Sequence, residues 1–271
     1  MGAIGPRRAL AAAPIDADAG LWRRAVFAAG GTVGAAQLAR VSRLIRALKG
    51  CGGWVLDDRI WLLAGETKIA ALIDLKTRST KATLSSTEPS FSAFRGFLGN
   101  GFSAYIDFGV AASALTQFTQ NSARISVYVR DGDGASNLSL GSRDSGSGFS
   151  SDVIIGAGAN LSNILQTGSG ATSFSQSRQN GFHIVERTDS ASGIASNNGV
   201  DTAPASIGSS SARATSNLTA LARNSSGTYS AYSGSRVAFV SFGASLSSPS
   251  TRAAYAAAVN GYMASVGAST Y

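Results

Sequence analysis

The sequence predicts a mainly β protein: an antiparallel sandwich with a small helical N-terminal part and a short C-terminal helix. The first observation is serine usage, because only Ser42 of the 42 serines lies among the first 78 residues. That serine-poor stretch is rich in Ala, Leu and Arg, which favour helices. The remainder is rich in Ser, Gly, Thr and aromatic residues, which favour strands and tight turns. The second observation is that short strand-like segments recur there between turn signals, which is typical of a sandwich.

The chain length and composition agree with this fold class. A length of 271 residues fits one sandwich of about 200 to 250 residues with a small appendage. Charged residues make up 14% of the chain, which disfavours a charged disordered tail and a coiled coil. The sequence shows neither a GxGxxG motif opening a helix nor a strand–helix alternation, so a nucleotide-binding α/β fold is not expected.

The change in composition, together with an irregular start, predicts three parts of the chain. Residues 1–15 form an irregular N-terminal arm, residues 16–80 a helical lead-in, and residues 81–271 a β-sandwich domain that includes the C-terminal helix. Strand-like segments and turn signals first become frequent after residue 80. The lead-in is therefore expected to be mainly helical.

Helix start and stop signals divide the lead-in. Asp16 or Asp18 can cap a first helix, which the two glycines at 30–31 end. A second helix runs to about Lys49 with its apolar residues on one face. Residues 66–75 predict a third, short helix.

The strands of the β part are predicted from alternation and apolar runs. In residues 123–129, Ile125, Val127 and Val129 lie on one face of the strand. At the end of the chain, Ser248 can cap a helix that begins at a proline, a favourable first helical residue. The other predicted strands cover residues 105–108, 151–155, 181–186 and 236–242.

The positive charge belongs to the N-terminal part. The net charge is +8, and residues 1–100 carry 14 basic and 7 acidic side chains. The helix arginines lie at helical spacing without interleaved exposed aromatic residues, so solvated helix faces are favoured and direct nucleic-acid binding is not expected. Contact with an acidic partner surface is the alternative.

Cysteine, histidine and hydropathy exclude several kinds of site. A lone Cys51 excludes an intrachain disulfide and a multi-cysteine metal site. A single His183 excludes a histidine metal cluster, disfavours a Ser-His-Asp triad, and is expected to be a partly buried, hydrogen-bonded strand residue. No run of about 18 apolar residues exists, so no membrane insertion is expected. No cofactor is predicted.

The acidic residues do not form a recognisable catalytic pair. Asp57 and Asp58 are adjacent in an extended segment, so their side chains point to opposite sides, and structural roles such as charged caps or surface ion pairs are expected. Glu186 and Asp189 flank a strand end in the same way. Glycoside hydrolysis requires two acids at a defined separation, so the sequence predicts that the protein is not an enzyme. The alternative is a carbohydrate-active enzyme that uses Glu186 and Asp189.

Two further motifs have competing interpretations. Asp131 and Asp133 alternate with glycines and resemble part of a calcium loop, but the distal bidentate acid of an EF-hand is missing, so a hairpin turn is favoured. Calcium binding stays open. Trp54 and Trp61 could form a sugar platform, but their Leu- and Ile-rich surroundings favour core packing.

Tyr229 and Tyr232 are the candidate ligand-binding residues. They lie in the Ser- and Gly-rich stretch NSSGTYSAYSGS. Aromatic residues among small polar residues are typical of recognition loops. We therefore expect a binding loop here.

Four stretches resemble a family of tailed-bacteriophage structural proteins that carry a concanavalin A/laminin G-like jelly-roll domain. The likeness spans residues 16–267 and lies in the order of the segments and in their residue composition. It includes a Gly-Asn-Gly segment that leads into a strand with an Asp. The four stretches are the helical lead-in at 16–75, PSFSAFRGFLGNGFSAYIDFG at 89–109, GFHIVERT at 181–188, and the last strand with its helix at 235–267.

The resemblance implies a structural protein on the virion surface. Such a protein would attach to capsid, neck or tail subunits through its N-terminal part and present the jelly-roll outward, as a decoration, fibre or spike module. The arginines expected to dock on the particle are Arg7, Arg8, Arg23 and Arg24. Possible host-surface polysaccharide binding and homo-oligomerisation also follow. The alternative is a carbohydrate-active enzyme or a lectin with the same fold.

Overall fold

Two β-sheets and a layer of helices make up the computed structural model. It describes residues 14–132, 138–144, 150–155, 160–164, 172–175, 180–210 and 212–270. Its helices are α1 (Ala17–Ala28), α2 (Ala35–Gly50), α3 (Gly53–Leu56), α4 (Lys68–Leu72) and α5 (Pro249–Ser265), with a 3-10 turn at Ala112–Ala114.

The strands form a first and a second sheet. The first sheet contains β1 (Asp57–Trp61), β3 (Ser90–Ser92), β4 (Gly96–Leu98), β6 (Ala123–Asp131), β11 (Gly181–Arg187), β12 (Ser192–Asn197), β13 (Val200–Asp201), β14 (Ala205–Ser206) and β18 (Arg236–Gly243). The second sheet contains β2 (Thr83–Leu84), β5 (Ile106–Ala111), β7 (Leu138–Arg143), β8 (Ser150–Ile155), β9 (Asn160–Ile164), β10 (Thr172–Ser175), β15 (Asn217–Ala220), β16 (Arg223–Ser225) and β17 (Thr228–Ser230).

Antiparallel pairing dominates both sheets. The first sheet has the order β13-β12-β11-β6-β18-β4-β3, with β1 on β18 and β14 on β12. The second has the order β10-β9-β8-β7-β15-β5-β2, and β16 joins it by pairing with β17 and, in parallel, with β7. This arrangement confirms the predicted antiparallel jelly-roll sandwich with a small helical N-terminal part and a C-terminal helix.

The main core lies between the sheets. Alternation along β5 sends Ile106, Phe108 and Val110 inward, where they meet Val127 and Val240 of the first sheet. Trp61 joins this core, with its ring centroid 4.5 Å from that of Phe108. The predicted inward face of β6 is confirmed, since Ile125, Val127 and Val129 all belong to this core.

A second core joins the helices to the other face of the first sheet. Trp22 and Val26 of α1 and Val259 of α5 pack with Tyr128 and Phe182 of the sheet. Within the part of the chain that the structure describes, this core contains no residue of the second sheet's strands. The molecule therefore has three layers: helices, first sheet, second sheet.

The lead-in departs from a purely helical segment. Asp16 caps α1 by accepting a hydrogen bond from the backbone N–H of Asp18 (2.9 Å). The helix predicted over residues 66–75 covers only Lys68–Leu72, because the next residue is extended and Asp74 binds the backbone N–H of Ile60 (3.0 Å). The strand β1 also lies within the lead-in and pairs with β18.

Among the described residues, the helices lack the combined length and apolar character needed to span a membrane.

Candidate functional site

Two loops meet beside the start of β5. Residues 99–105 connect β4 to β5, and residues 226–235 contain β17 and lead into β18; we call them the aromatic loop pair. The backbone N–H of Gly99 donates to the carbonyl of Ser235 (3.1 Å), and that of Gly101 to the carbonyl of Ser233 (3.3 Å). A Cβ at Gly99 would lie 1.9 Å from the Ser233 carbonyl oxygen, so glycine is required for this approach.

Asn100 fixes the conformation of the first loop. Its Oδ1 accepts hydrogen bonds from the backbone N–H groups of Phe102 (2.9 Å), Ser103 (2.9 Å) and Ala104 (3.0 Å). Its Nδ2 donates to Ser103 Oγ (3.1 Å). The turn holds Phe102 in solvent, where 82% of its surface is exposed. A large apolar side chain on a fixed loop is thus available for contact.

Two tyrosines stack next to this loop. The rings of Tyr105 and Tyr229 are 3.9 Å apart at their centroids and inclined by only 12°. The Tyr229 hydroxyl donates to Asp107 Oδ2 (3.1 Å), and Asn217 Nδ2 also donates to that oxygen (3.4 Å). Asp107 Oδ1 accepts from the backbone N–H of Gly109 (2.8 Å). The stack and the carboxylate therefore form one positioned unit.

The electrostatics of this unit keep Tyr229 protonated. Burial raises the pKa of the Tyr229 phenol, and the neighbouring Asp107 carboxylate raises it further. The phenol therefore acts as a hydrogen-bond donor at neutral pH and not as a phenolate nucleophile.

The aromatic loop pair presents aromatic rings beside polar groups. Half-buried aromatic rings offer an apolar surface with a polar tip, while Asp107 and Asn100 supply oxygen acceptors and amide donors close by. Apolar surface with a few placed polar groups is typical of small-molecule sites. Such a combination suits the C–H face and the hydroxyls of a carbohydrate.

The predicted ligand-binding tyrosines lie in this region. Tyr229 is half-buried in β17, and Tyr232 is half-buried on the same loop. Sequence reasoning did not select Phe102, Tyr105 or Asp107. Strand alternation could have indicated Tyr105 and Asp107 together, because residues two apart along an extended segment share a face.

The two adjacent aspartates have separate structural roles. Asp57 is 1% exposed and binds Arg124 Nη2 (2.6 Å) and the Tyr255 hydroxyl (3.0 Å). Asp58 is 8% exposed and accepts from the backbone N–H of Phe118 (2.7 Å). Both carboxylates thus have structural roles, but their partners lie inside the protein and not in surface ion pairs.

The acids of the proposed catalytic alternative also have separate roles. Glu186 is fully buried and accepts from Arg252 Nη1 (3.1 Å) and the backbone N–H of Leu246 (2.8 Å). Asp189 accepts from the backbone N–H groups of Ala191 and Ser192 (2.7 Å each), and these bonds lower the pKa of its carboxyl. Glu186 thus joins the sheet to α5, while Asp189 stabilises a turn.

The described residues contain no group of three or more His, Cys, Asp or Glu side chains placed to hold a metal ion. Asp131 binds Arg130 Nη1 and Arg236 Nε, each at 3.0 Å, and Asp133 lies outside the described residues. His183 is fully buried, 3.1 Å from the Asn197 amide nitrogen.

The two candidate platform tryptophans lie in different settings. Trp61 is fully buried and donates its indole N–H to the Leu72 carbonyl (3.2 Å). Trp54 is half-buried, with the ammonium groups of Lys49 and Lys76 lying 5.6 Å and 4.7 Å from its ring centroid.

The predicted docking arginines are described in part. Arg7 and Arg8 lie outside the described residues. Arg23 and Arg24 are exposed on α1, and the Arg23 guanidinium lies 4.9 Å from the Phe27 ring centroid.

Comparisons with known proteins relate the chain to two kinds of solved structure. A Trypanosoma rangeli sialidase in complex with 2,3-difluoro-KDN matches with a TM-score of 0.52 and 12% identity, over 81% of this chain and 39% of the sialidase. The botulinum neurotoxin serotype D binding domain matches with a TM-score of 0.52 and 11% identity, over 78% of this chain and 52% of the toxin domain. The chain thus spans well under two thirds of either. At these identities the matches show a shared fold.

No protein-family model matches the sequence. No curated protein matches it either.

The sialidase match overturns the prediction that the protein is not an enzyme. That prediction was drawn from scattered acids and a fold expected in structural proteins. The sialidase, which shares the sandwich fold, is an enzyme. The fold therefore does not exclude catalysis, and the prediction is wrong.

Proposed function

We propose that the protein is a structural component of a bacteriophage virion, carried on the head, neck or tail, and that its jelly-roll binds host-surface carbohydrate. The aromatic loop pair is the proposed binding site. The observation that carries the carbohydrate part is the Tyr105–Tyr229 stack with its bonded Asp107, beside the exposed Phe102. The virion part is supported by the resemblance of residues 16–267 to phage structural proteins.

The structural neighbours support a carbohydrate ligand. One is a sialidase in complex with a sugar-acid derivative, and the other is named as a binding domain. The helices cover the first sheet, so the strands of the second sheet keep a face without a helical layer among the described residues. Asp107, Asn217 and Tyr229 belong to those strands.

The N-terminal part is the proposed attachment to neighbouring capsid, neck or tail subunits. Arg7 and Arg8 would extend the contact that the exposed Arg23 and Arg24 begin. Neither Arg23 nor Arg24 has a carboxylate partner among the residues that the structure describes. Many copies on a symmetric particle would strengthen weak carbohydrate binding through multivalency, and a homo-oligomer fits the same arrangement.

The carbohydrate proposal is tested with the purified full chain on an array of bacterial surface polysaccharides. Phe102→Ala removes an exposed ring, so folding is retained and binding is expected to fall about tenfold. Val200→Ala is the matched control, because Val200 is 74% exposed on another part of the surface. Glycan turnover is measured in the same samples. Absence of binding to the array, or equal loss in both variants, would overturn the proposed site.

The attachment proposal is tested by deleting residues 1–13. This deletion keeps Pro14, whose carbonyl accepts a hydrogen bond from Arg46 Nη1 (2.5 Å). We expect a folded chain that is lost from purified virions. Unchanged incorporation into virions would refute docking through the arm.

A further inference from the structure

A groove of about 250 Å³ lies between α2 and α5. Arg40, Arg43, Leu44 and Ala47 of α2 form one side of it. The α5 side carries small residues, and the aromatic ring of Tyr262 contributes the remaining surface. The lining residues of α5 are Ala257, Ala258, Gly261, Tyr262 and Ser265.

The sequence of α5 keeps this groove open. Ala257, Gly261 and Ser265 follow one another at intervals of four, so they share a helix face. No atom lies within 4 Å of the position that a Cβ on Gly261 would occupy. Glycine is unfavourable in a helix interior relative to alanine, and its missing side chain leaves this part of the groove open.

The arginines of the groove lack carboxylate partners among the described residues. Arg40 lies over Phe94, with its Cζ 5.7 Å from the ring centroid. Two other cations of the lead-in are paired: Lys49 binds Asp16 (2.8 Å) and Arg78 binds Asp18 (2.7 Å). The groove therefore combines two uncompensated positive charges with a small-residue floor.

The nearby acid of the helical layer does not neutralise these charges by a direct contact. Glu66 accepts a hydrogen bond from the backbone N–H of Gly34 (2.7 Å). The Tyr262 hydroxyl is also engaged: it accepts from Gln37 Nε2 (2.7 Å) and donates to the Ala64 carbonyl (2.9 Å). The Ser265 hydroxyl donates to the Tyr262 carbonyl (2.7 Å). The donors left to meet a ligand are thus the two guanidinium groups.

We infer that this groove binds an acidic segment of a partner protein. A glutamate or aspartate side chain would lie between Arg40 and Arg43, because guanidinium groups bind carboxylates through paired, charge-assisted hydrogen bonds. An adjoining residue of the segment would pack over Gly261. The inference is independent of carbohydrate binding and holds whether or not the chain is carried on a virion.

The charge requirement is tested with a fluorescein-labelled hexaglutamate peptide and fluorescence anisotropy on the full chain. We expect the double variant Arg40→Gln/Arg43→Gln to raise the Kd about tenfold. The control Lys81→Gln/Arg95→Gln removes the same charge from exposed side chains that do not line the groove and should change the Kd by less than about twofold. Equal losses would mean that a diffuse positive field, and not this groove, attracts the peptide.

The shape requirement is tested separately by Gly261→Leu, which fills the groove without changing any charge. The matched control is Gly20→Leu in α1, where a Cβ likewise has no neighbour within 4 Å. Both substitutions favour helix formation, and circular dichroism verifies the fold. We expect about tenfold weaker peptide binding for Gly261→Leu only. Unchanged binding by that variant, or no binding by the parent chain, would overturn the inference.

Discussion

The two sheets differ in the environment of their polar residues. The helices cover the first sheet, so β6 is buried on both faces over most of its length, whereas β5 alternates between buried and more exposed positions. Polar side chains on the helix-covered face, such as Arg124 and Glu186, are fully buried and satisfied by protein partners. Polar side chains of the second sheet, such as Asp107 and Asn217, are only half-buried. The comparison teaches that the first sheet's charges are held by protein partners inside the molecule, and those of the second sheet stay partly accessible to a ligand.

The largest expected effect tests the structural half of this comparison. Arg124→Met leaves the Asp57 carboxylate buried without its cation, which costs about 3–5 kcal/mol of unfolding free energy. Urea unfolding at neutral pH measures the loss. Lys68→Met is the control, because Lys68 pairs with Glu88 at the exposed surface and should cost under about 1 kcal/mol. Similar losses in the two variants would contradict the distinction.

A second substitution pair addresses the acids of the catalytic alternative. Glu186→Gln removes a charge from the buried contact with Arg252 and should cost about 3 kcal/mol. Asp189→Asn, at an exposed turn, should leave the unfolding temperature almost unchanged. Thermal unfolding of both variants is the measurement. A destabilised Asp189 variant beside a stable Glu186 variant would reverse the assignment of roles.

A milder change sharpens the binding half of the comparison. Tyr229→Phe keeps the ring stack on Tyr105 but removes the hydroxyl that donates to Asp107. We expect a stability loss of about 1 kcal/mol, with weaker polysaccharide binding. Calorimetry gives the first value, and the polysaccharide array gives the second. Unaltered polysaccharide binding would show that the hydroxyl–carboxylate contact is structural only.

The smallest effect depends on pH and concerns the ion pairs of the lead-in. Burial opposes ionisation of Asp18, but hydrogen bonds from Lys49 and Arg78 outweigh it and lower the pKa of the carboxyl. An acid with a lowered folded-state pKa stabilises the protein above its unfolded pKa, near 3.8, and loses this contribution as the pH falls through the folded value. Asp18→Asn should therefore cost about 1 kcal/mol at neutral pH and almost nothing in strong acid. Urea unfolding at several pH values measures this, and a loss that persists in acid would point to a cause other than charge.

Local patterns predicted several elements, but neither the strand β1 in the lead-in nor the long-range contacts. Alternation in β6 correctly assigned Ile125, Val127 and Val129 to the core, and Ser248 caps α5 as its position suggested. The burial of Asp57 could not be predicted, because its partner Arg124 is 67 residues away. The candidate site was found only in part for the same reason, since Tyr229 and Asp107 are separated by 122 residues.

The buried cluster around Asp57 has a consequence for how the chain is made. Of its members, Asp57 is synthesised before Arg124, and Tyr255 of α5 follows both. The strand β18 also follows Arg124 and pairs with both β1 and β6. Since synthesis proceeds from the N-terminus at about 5–20 residues per second, the neighbouring Glu186 lacks its partner Arg252 until α5 has been made. A chain arrested on the ribosome before α5 emerges is therefore expected to be more sensitive to proteases than the released chain.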